Sequence, residues 1–321
     1  MDFLANYFGS LNPMSFLSAL PGNIAQGIIW GLMGLGVFLT FKLLNFADLS
    51  VDGSFATGGA VTAVMLIKGC PVWATIIVAI LAGLAAGLVT GLLHTLLGIP
   101  DILAGILTQI ALYSINLNIM GKSNLPISYR NYTLVVSASN INMAILVGLG
   151  ICAVVIAAMY WYFGTEQGST IRSTGSNPAM SKAQGVNINF TKVIALALSN
   201  GLVALSGSLF AQYQGFADIN MGRGAIVIGL AAVIIGEVLG EAIFRKHMNF
   251  IIRMLFVIVG GILYYIAMGI VLWLKMPTDD TKLFTAIIVA IFLAVPYLQK
   301  KRKTSFKKVA KMNAKNAQME G

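Results

Sequence analysis

Long apolar runs alternate with short polar breaks along the chain, at about residues 24–44, 54–69, 72–97, 101–121, 143–164, 191–214, 224–244, 248–273 and 283–298. Because a membrane-crossing helix needs roughly 20 apolar residues, the pattern predicts an all-α polytopic membrane helix bundle of about nine spans, within a range of about eight to ten. Segment 3–20, with Pro13, Pro21 and mixed polarity, is expected to be an interfacial helix instead of a further span. Three units follow: an extracytoplasmic or interfacial segment over 1–23, a single transmembrane domain over 24–298, and a tail over 299–321.

Composition removes the soluble alternative. Of 321 residues, 58% are hydrophobic and 10% charged, and mean hydropathy is +0.85; soluble domains carry about 25% charged residues. After nine spans only short loops and one tail remain, which excludes a separate catalytic domain. Cys70 and Cys152 lie in different apolar stretches and suggest neither a disulfide framework nor a thiolate metal site. Residues 1–21 lack a basic region and a small-residue cleavage site, so the first span is expected to direct insertion.

The net charge of +10 is concentrated at the C-terminus, where basic residues at 300–303, 307, 308, 311 and 315 face only Glu320. A run directly after an apolar span, with Phe306 as its single aromatic, suits a lipid-facing cytoplasmic tail better than nucleic acid. Placing that tail inside fixes the other loops by alternation. Lys42, Arg172, Lys182, Lys192, Arg245, Lys246 and Arg253 then fall inside. Lys68, Lys122, Arg130, Arg223, Lys275 and Lys282 fall outside, the last two beside Asp279 and Asp280. The expectation is a multi-pass protein of the cytoplasmic membrane, C-terminus inside and N-terminus outside.

Glycines recur every fourth residue at Gly83, Gly87 and Gly91, and pair as Gly27 with Gly31 and Gly236 with Gly240. Such stripes let helix backbones approach closely. Two polar breaks resemble each other, Asn45-Phe46-Ala47-Asp48-Leu49-Ser50-Val51-Asp52-Gly53-Ser54-Phe55 and Gly215-Phe216-Ala217-Asp218-Ile219-Asn220-Met221-Gly222-Arg223-Gly224-Ala225. The alternation puts them at opposite membrane faces. They read either as an inverted repeat of the transporter kind, with discontinuous helices at the path, or as two ordinary interspan turns. Path candidates are Asn45, Asp48, Asp52, Gly53, Ser54, Thr57, Gly58, Gly207, Gln212 and Gln214. For Asp48 and Asp52 three roles stand open: capping of the next helix by Asp52 or Ser54, path lining, or proton coupling.

Other polar groups suggest less. Glu237 and Glu241 share a helix face near Arg245 and Lys246, which points to an interfacial ion pair, and His94 reads as an interface histidine. Gly121-Lys122-Ser123 imitates the end of a phosphate-binding loop, but Asn116 stands where the first glycine belongs and the triplet closes a span. Asn131-Tyr132-Thr133 is a weak glycosylation pattern. With no nucleophile triad, metal cluster or dinucleotide fingerprint, the chain is expected to be no enzyme and to hold no cofactor. If ATP is used, another subunit hydrolyses it.

The longest polar interval runs from Gly164 to Ile188. Within it Asn177 can cap a helix of about seven residues that has Pro178 in its first turn and ends at Gly185, flanked by glycine-bounded turns. A simple connector needs far less length. A short helix presented to the cytoplasm suits insertion into a groove on a partner.

Residues Arg172-Ser173-Thr174-Gly175-Ser176-Asn177-Pro178-Ala179, continuing through Met180 to Ala183-Gln184-Gly185-Val186-Asn187, resemble the coupling loop of permeases of the branched-chain amino acid and ribose type in ATP-binding cassette importers. Asn45 to Gly53 resembles that family's signature after an early span, and Gly201–Gly207 and Ile228–Glu241 its later half. The likeness covers about residues 24–298. It implies a fold similar to the vitamin B12 permease, a second permease copy, an extracytoplasmic solute-binding protein, and two ABC ATPase subunits holding ATP and Mg. It implies that those subunits dock on the loop over about 165–190, through Arg172, Ser173, Thr174, Gly175, Asn177, Pro178, Ala179, Met180, Gly185 and Val186. Ile235-Gly236-Glu237 departs from the double glycine usual there, and the additional N-terminal span of ribose-type members is lacking. The closer resemblance is to the branch associated with tryptophan- or tyrosine-type binding proteins, which implies an amino acid or related solute. An ion-coupled secondary transporter is the main alternative, and a membrane scaffold a further one.

Overall fold

The computed structural model of the chain describes residues 13–128, 132–244, 248–274, 283–291 and 294. The basic tail, Arg130, Asn131, Arg245 and Lys246 lie outside the described residues. The order of elements is α1 (Pro13–Val37, continued by a π-helical turn, Phe38–Leu43), α2 (Val51–Ile67), α3 (Val72–Leu96), α4 (Asp101–Met120), β1 (Asn124–Pro126) and α5 (Ile141–Gly164). Then follow α6 (Glu166–Ser176), α7 (Pro178–Ala183), α8 (Ile188–Gln214), β2 (Phe216–Asp218), α9 (Ala225–Phe244) and α10 (Phe250–Trp273). A further helical stretch covers 283–291.

Every apolar run that the sequence marks contains helix, yet among the described residues seven helices, not nine, are long and apolar enough to cross a membrane. The shortfall has a physical source at α2. Its 17 residues reach about 25 Å, short of a hydrocarbon core of about 30 Å, because the preceding break turns back into the bundle before the helix starts. The run expected at 283–298 is described over part of its length only. Residues 13–20, placed with the interfacial segment, are continuous with the first span: α1 begins at Pro13 and passes through Pro21.

The bundle is organised around α1 and α8. Their spanning windows are 83% and 72% buried, against 28–39% for the other five candidate spans. The two central helices run antiparallel, with Tyr213 Oη donating to Gly22 O near one end and Ser199 Oγ donating to Gly36 O further along, at 2.8 Å. Trp30 of α1 stacks on Phe55 of α2, with ring centroids 4.8 Å apart, and meets Phe210 of α8 edge-on at 5.4 Å. This aromatic cluster joins three helices in one buried layer.

The glycine stripes are helix contacts. A Cβ at Gly83 or Gly87 would collide with carbonyl oxygens of Asn200 or Leu196, and at Gly91 it would lie 2.8 Å from Val193 Cα, so α3 rests directly on the α8 backbone. A Cβ at Gly31 would lie 2.8 Å from Ile258 Cα of α10, and one at Gly236 would collide with the Phe256 carbonyl. Without a hydrophobic drive between helices in lipid, such close dispersion contact holds the bundle together.

The bundle has two unlike ends. One carries α6 and α7, with Lys42, Arg172, Lys182, Lys192 and Arg253. The other carries a two-stranded antiparallel sheet, absent from the sequence-based expectation, that pairs Asn124 with Asp218 and Pro126 with Phe216. Glu237 pairs with Lys42 at 2.8 Å and with Arg253 at 3.2 Å; the expected neighbours Arg245 and Lys246 are outside the described residues. His94 is held by contacts from Nδ1 to Ile99 O at 2.8 Å and from Nε2 to Lys192 Nζ at 3.0 Å.

Gly87→Leu should lower stability by about 3 kcal/mol or more, since neither backbone can retreat. Gly150 faces open space, and Gly150→Ala should stay within about 0.5 kcal/mol of the parent. Thermal unfolding in detergent compares the two.

Candidate functional site

The two similar breaks have the same local geometry. After Phe46-Ala47 the Asp48 carboxylate accepts the Ser50 backbone N–H at 2.9 Å; after Phe216-Ala217 the Asp218 carboxylate accepts the Asn220 backbone N–H at 2.7 Å. Both are aspartate turns in which a side chain satisfies a backbone donor where the helix is broken. The first break also contains Asn45, the one described non-glycine residue with positive φ, at 56°. The chain reverses there, and Asn tolerates that region better than branched residues do.

Position along α8 shows where each break ends. Asp48 is 2% exposed and accepts from Asn200 Nδ2 at 2.7 Å, while the Ser50 hydroxyl lies between the Asp48 carboxylate and Asn200 Oδ1. Asn200 is near the middle of α8, so α2 begins inside the bundle and runs toward the sheet end. The second break leaves α8 at that sheet end and descends: Met221 packs on Gly59 and Gly222 sits against Asp52 O. α9 therefore also starts inside the bundle and runs the opposite way, reaching Lys42 through Glu237. The two helices that follow the breaks thus run in opposed directions.

The two helix starts meet through one side chain. Asp52, in the first turn of α2, accepts the Gly224 N–H on Oδ2 and the Ile226 N–H on Oδ1, both at 2.9 Å. The carboxylate therefore caps α9, the other half's helix, and not the helix that contains it. An anion at a helix N-terminus satisfies orphan donors and complements the partial positive charge there.

The remaining path candidates divide by environment. Gly53 packs on Leu112 and Gln109 of α4; Gly58 abuts the Ala204 carbonyl and Gly207 the Phe55 carbonyl, so these two glycines lie at helix contacts. Thr57 Oγ1 donates back to Gly53 O at 2.9 Å, and Ser54 Oγ is buried without a partner. Gln212 is fully buried and accepts the Val135 N–H at 3.0 Å, whereas Gln214 and Asn45 are exposed. Asp52 and Gly53 border a cavity of about 300 Å³ that sequence reasoning missed, walled further by Gln109, Tyr113, Ser114 and Asn116 of α4 and by Arg223.

At the other end of the bundle the polar interval folds as two helices. α7 is as the caps dictate: Asn177 Oδ1 accepts the Met180 N–H at 3.0 Å, Pro178 stands in the first turn, and Gly185 follows with φ +83°. It spans six residues, of which Ser181 is buried and the rest are exposed, Met180 at 59%. The glycine-bounded turn expected before it is instead helix α6, capped by Thr165. Gly168 of α6 lies on the Tyr162–Phe163 backbone, and Gly175 lies on the carbonyl of Leu43. Arg172 donates to Phe163 O at 2.9 Å and lies over the Phe250 ring; Thr174 is buried, Ser173 exposed and Val186 half-buried. The exposed helix α7 is thus joined to α8 through the chain and to the end of α1 through α6. Among the described residues no cluster of His, Cys, Asp or Glu is arranged to hold a metal ion.

The chain is 42% identical over 301 residues to a tyrosine transport system permease protein of Clostridioides difficile, covering 93% of this chain and 99% of that one. It is 24% identical to the D-allose transport system permease protein AlsC of Escherichia coli, over 80% and 77% of the two chains. A solved structure, PsaBC from Streptococcus pneumoniae in complex with Fab, shares the fold with a TM-score of 0.50 at 17% identity, over 91% of this chain and 94% of that one. The family described as branched-chain amino acid transport system, permease component, matches residues 22–296. The chain belongs to that family and is an importer permease of the ATP-binding cassette type, a transport subunit that performs no catalysis itself.

Proposed function

We propose that the chain forms the membrane path of an ATP-driven importer for an amino acid, with an aromatic amino acid such as tyrosine as the leading solute. The 42% identity to a tyrosine transport permease supports the solute class. In this reading the α6–α7 end faces the cytoplasm, in accord with the cations gathered there. Two ABC ATPase subunits bind ATP and Mg and dock on α7, a second copy of the chain completes the path, and a solute-binding protein delivers from the sheet end. Counting α2 and the helix at 283–291, nine segments lie in the membrane, in an arrangement similar to the vitamin B12 permease.

The observation that carries the proposal is the linkage at α7. A helix with one buried residue has little reason to exist for the stability of the bundle, yet both of its mechanical connections lead to the breaks. Through Asn187, whose side chain accepts the Phe190 N–H at 3.1 Å, it continues into α8. Through α6 it rests on Leu43, two residues before Asn45. A displacement of α7 by a partner therefore reaches Asp48 through two routes, from Leu43 and from Asn200. Rocking of α2 and α9 about their shared cap at Asp52 would open the path on alternate sides.

Met180→Glu places a charge on the exposed face of α7 and leaves the core untouched. Copurification of an ABC ATPase from native membranes should fall about tenfold, for a loss near 1.4 kcal/mol, with thermal unfolding unchanged; undiminished copurification would remove the coupling role. Asp52 separates this reading from an ion-coupled carrier. In the capping role Asp52→Asn retains an acceptor, and Asp52→Ala should destabilise more, by about 1 kcal/mol relative to Asn. ATP-dependent tyrosine uptake in vesicles should follow the same order. A carrier that needs the proton of Asp52 would lose uptake equally in both variants.

A further inference from the structure

The cavity beside the meeting point of the two breaks contains chemistry that the packing of the chain leaves unused. Asn116 of α4 is fully buried and borders this space, and neither its Oδ1 nor its Nδ2 has a hydrogen-bond partner. A buried amide with both ends unsatisfied is costly, and is expected where something polar enters. Across the same cavity the Arg223 guanidinium lies 5.9 Å from the centre of the Tyr113 ring and forms no ion pair among the described residues. Gln109, Tyr113 and Asn116 follow at four- and three-residue intervals, so one face of this membrane helix is polar. Polar side chains of this kind in a span face water or protein, not lipid.

The electrostatics of the chamber favour an anion. Asp52 also borders it, but its two oxygens are engaged by the Gly224 and Ile226 N–H groups at the start of α9. Its charge is thereby directed at a helix N-terminus, and the start of α2 adds a second positive helix end. Arg223 is left as a cation with a planar donor fork, which matches a carboxylate bidentately, and Asn116 Nδ2 supplies a further donor. The Asn116 Oδ1 and Ser114 Oγ atoms can accept from an ammonium group, and the Tyr113 ring offers an aromatic face. A volume of about 300 Å³ is at the small end of the range for ligand sites.

We propose that this chamber is a carboxylate-binding station for an amino acid, in which Arg223 and Asn116 hold the solute's carboxylate and Tyr113 supports its side chain. It deepens the importer reading, on which it rests for the solute being in transit. Arg223 belongs to the second break and Asn116 to α4, so the station forms where the break descends into the bundle and would change shape as α9 moves.

The test uses the full chain in right-side-out membrane vesicles with Ser114→Cys in a Cys70→Ser background. Labelling rates are measured with an anionic sulfonate and a cationic ammonium thiosulfonate reagent, each normalised to its rate with a free thiol. The anionic reagent should react about tenfold faster. Arg223→Gln should abolish that preference and Arg223→Lys should retain part of it. L-Tyrosine should slow labelling while tyramine, which lacks the carboxylate, should not. Equal or cation-favouring rates, preference that survives Arg223→Gln, or equal protection by tyramine would each overturn the proposal. The ATPase copurification assay is independent of these rates, so loss of the station with ATPase binding intact rejects the station alone. Failure of the parent chain, with Met180 in place, to copurify an ABC ATPase while the anion preference is intact rejects the importer reading instead.

Discussion

A broken helix inside a membrane must satisfy its free backbone groups without help from lipid, and in this chain that constraint is met by aspartates. Asp48 satisfies the Ser50 donor and is tied to Asn200 in the middle of α8. Asp52 satisfies the first donors of α9. The second bond set is the one on which the architecture turns, since it joins the half of the bundle beginning with α1 to the half beginning with α8. Two short-range breaks become one long-range junction, and the helices that leave it point in opposite directions.

Around that junction the rest of the fold has little freedom. The aromatic layer of Trp30, Phe55 and Phe210 fixes α1, α2 and α8 on one side, and glycine contacts fix α3 and α10 on the others. Ion pairs and strand pairing are placed at the ends, Glu237 with Lys42 and Arg253 at one and the short sheet at the other, while buried hydrogen bonds such as Ser199 to Gly36 O and Thr62 to Ser208 join helices between them. The interior thus combines a rigid, closely packed frame with a cavity and two interrupted segments. The importer reading proposed above needs such a combination, in a bundle that switches between two arrangements.

What could be read from the sequence followed the range of the interactions. Apolar runs, the fourfold glycine spacing and the Asn177-Pro178…Gly185 caps obey local rules, and the helices and α7 appear where those rules put them. α6 was not legible: Glu166 to Ser176 contains two glycines and no apolar stripe, and it is helical because Gly168 and Gly175 let it lie on the backbones of α5 and α1. Strands of three residues fall below any readable period, which hid the sheet. The apolar pattern starts α2 later and makes it a full span, because only the contact of Asp48 with Asn200 shows how far the break re-enters. The cavity needed Arg223 and α4 side chains from distant parts of the chain. A signal for half of it was present, in the polar residues Gln109, Tyr113 and Asn116 along one face of an otherwise apolar helix. Local rules allow Asp52 as a cap for its own helix, but its acceptor role is toward α9, a pairing that no local rule supplies.

The 27 residues of α8 form a rod about 40 Å long with no proline to bend it, attached to α7 at its base and to the descending segment at its tip. On the proposed importer reading, such a rod would act as a pushrod, carrying a displacement of its base along its length to its tip. The exposed helix at one end and the second break at the other would then be yoked, so that neither could shift without the other.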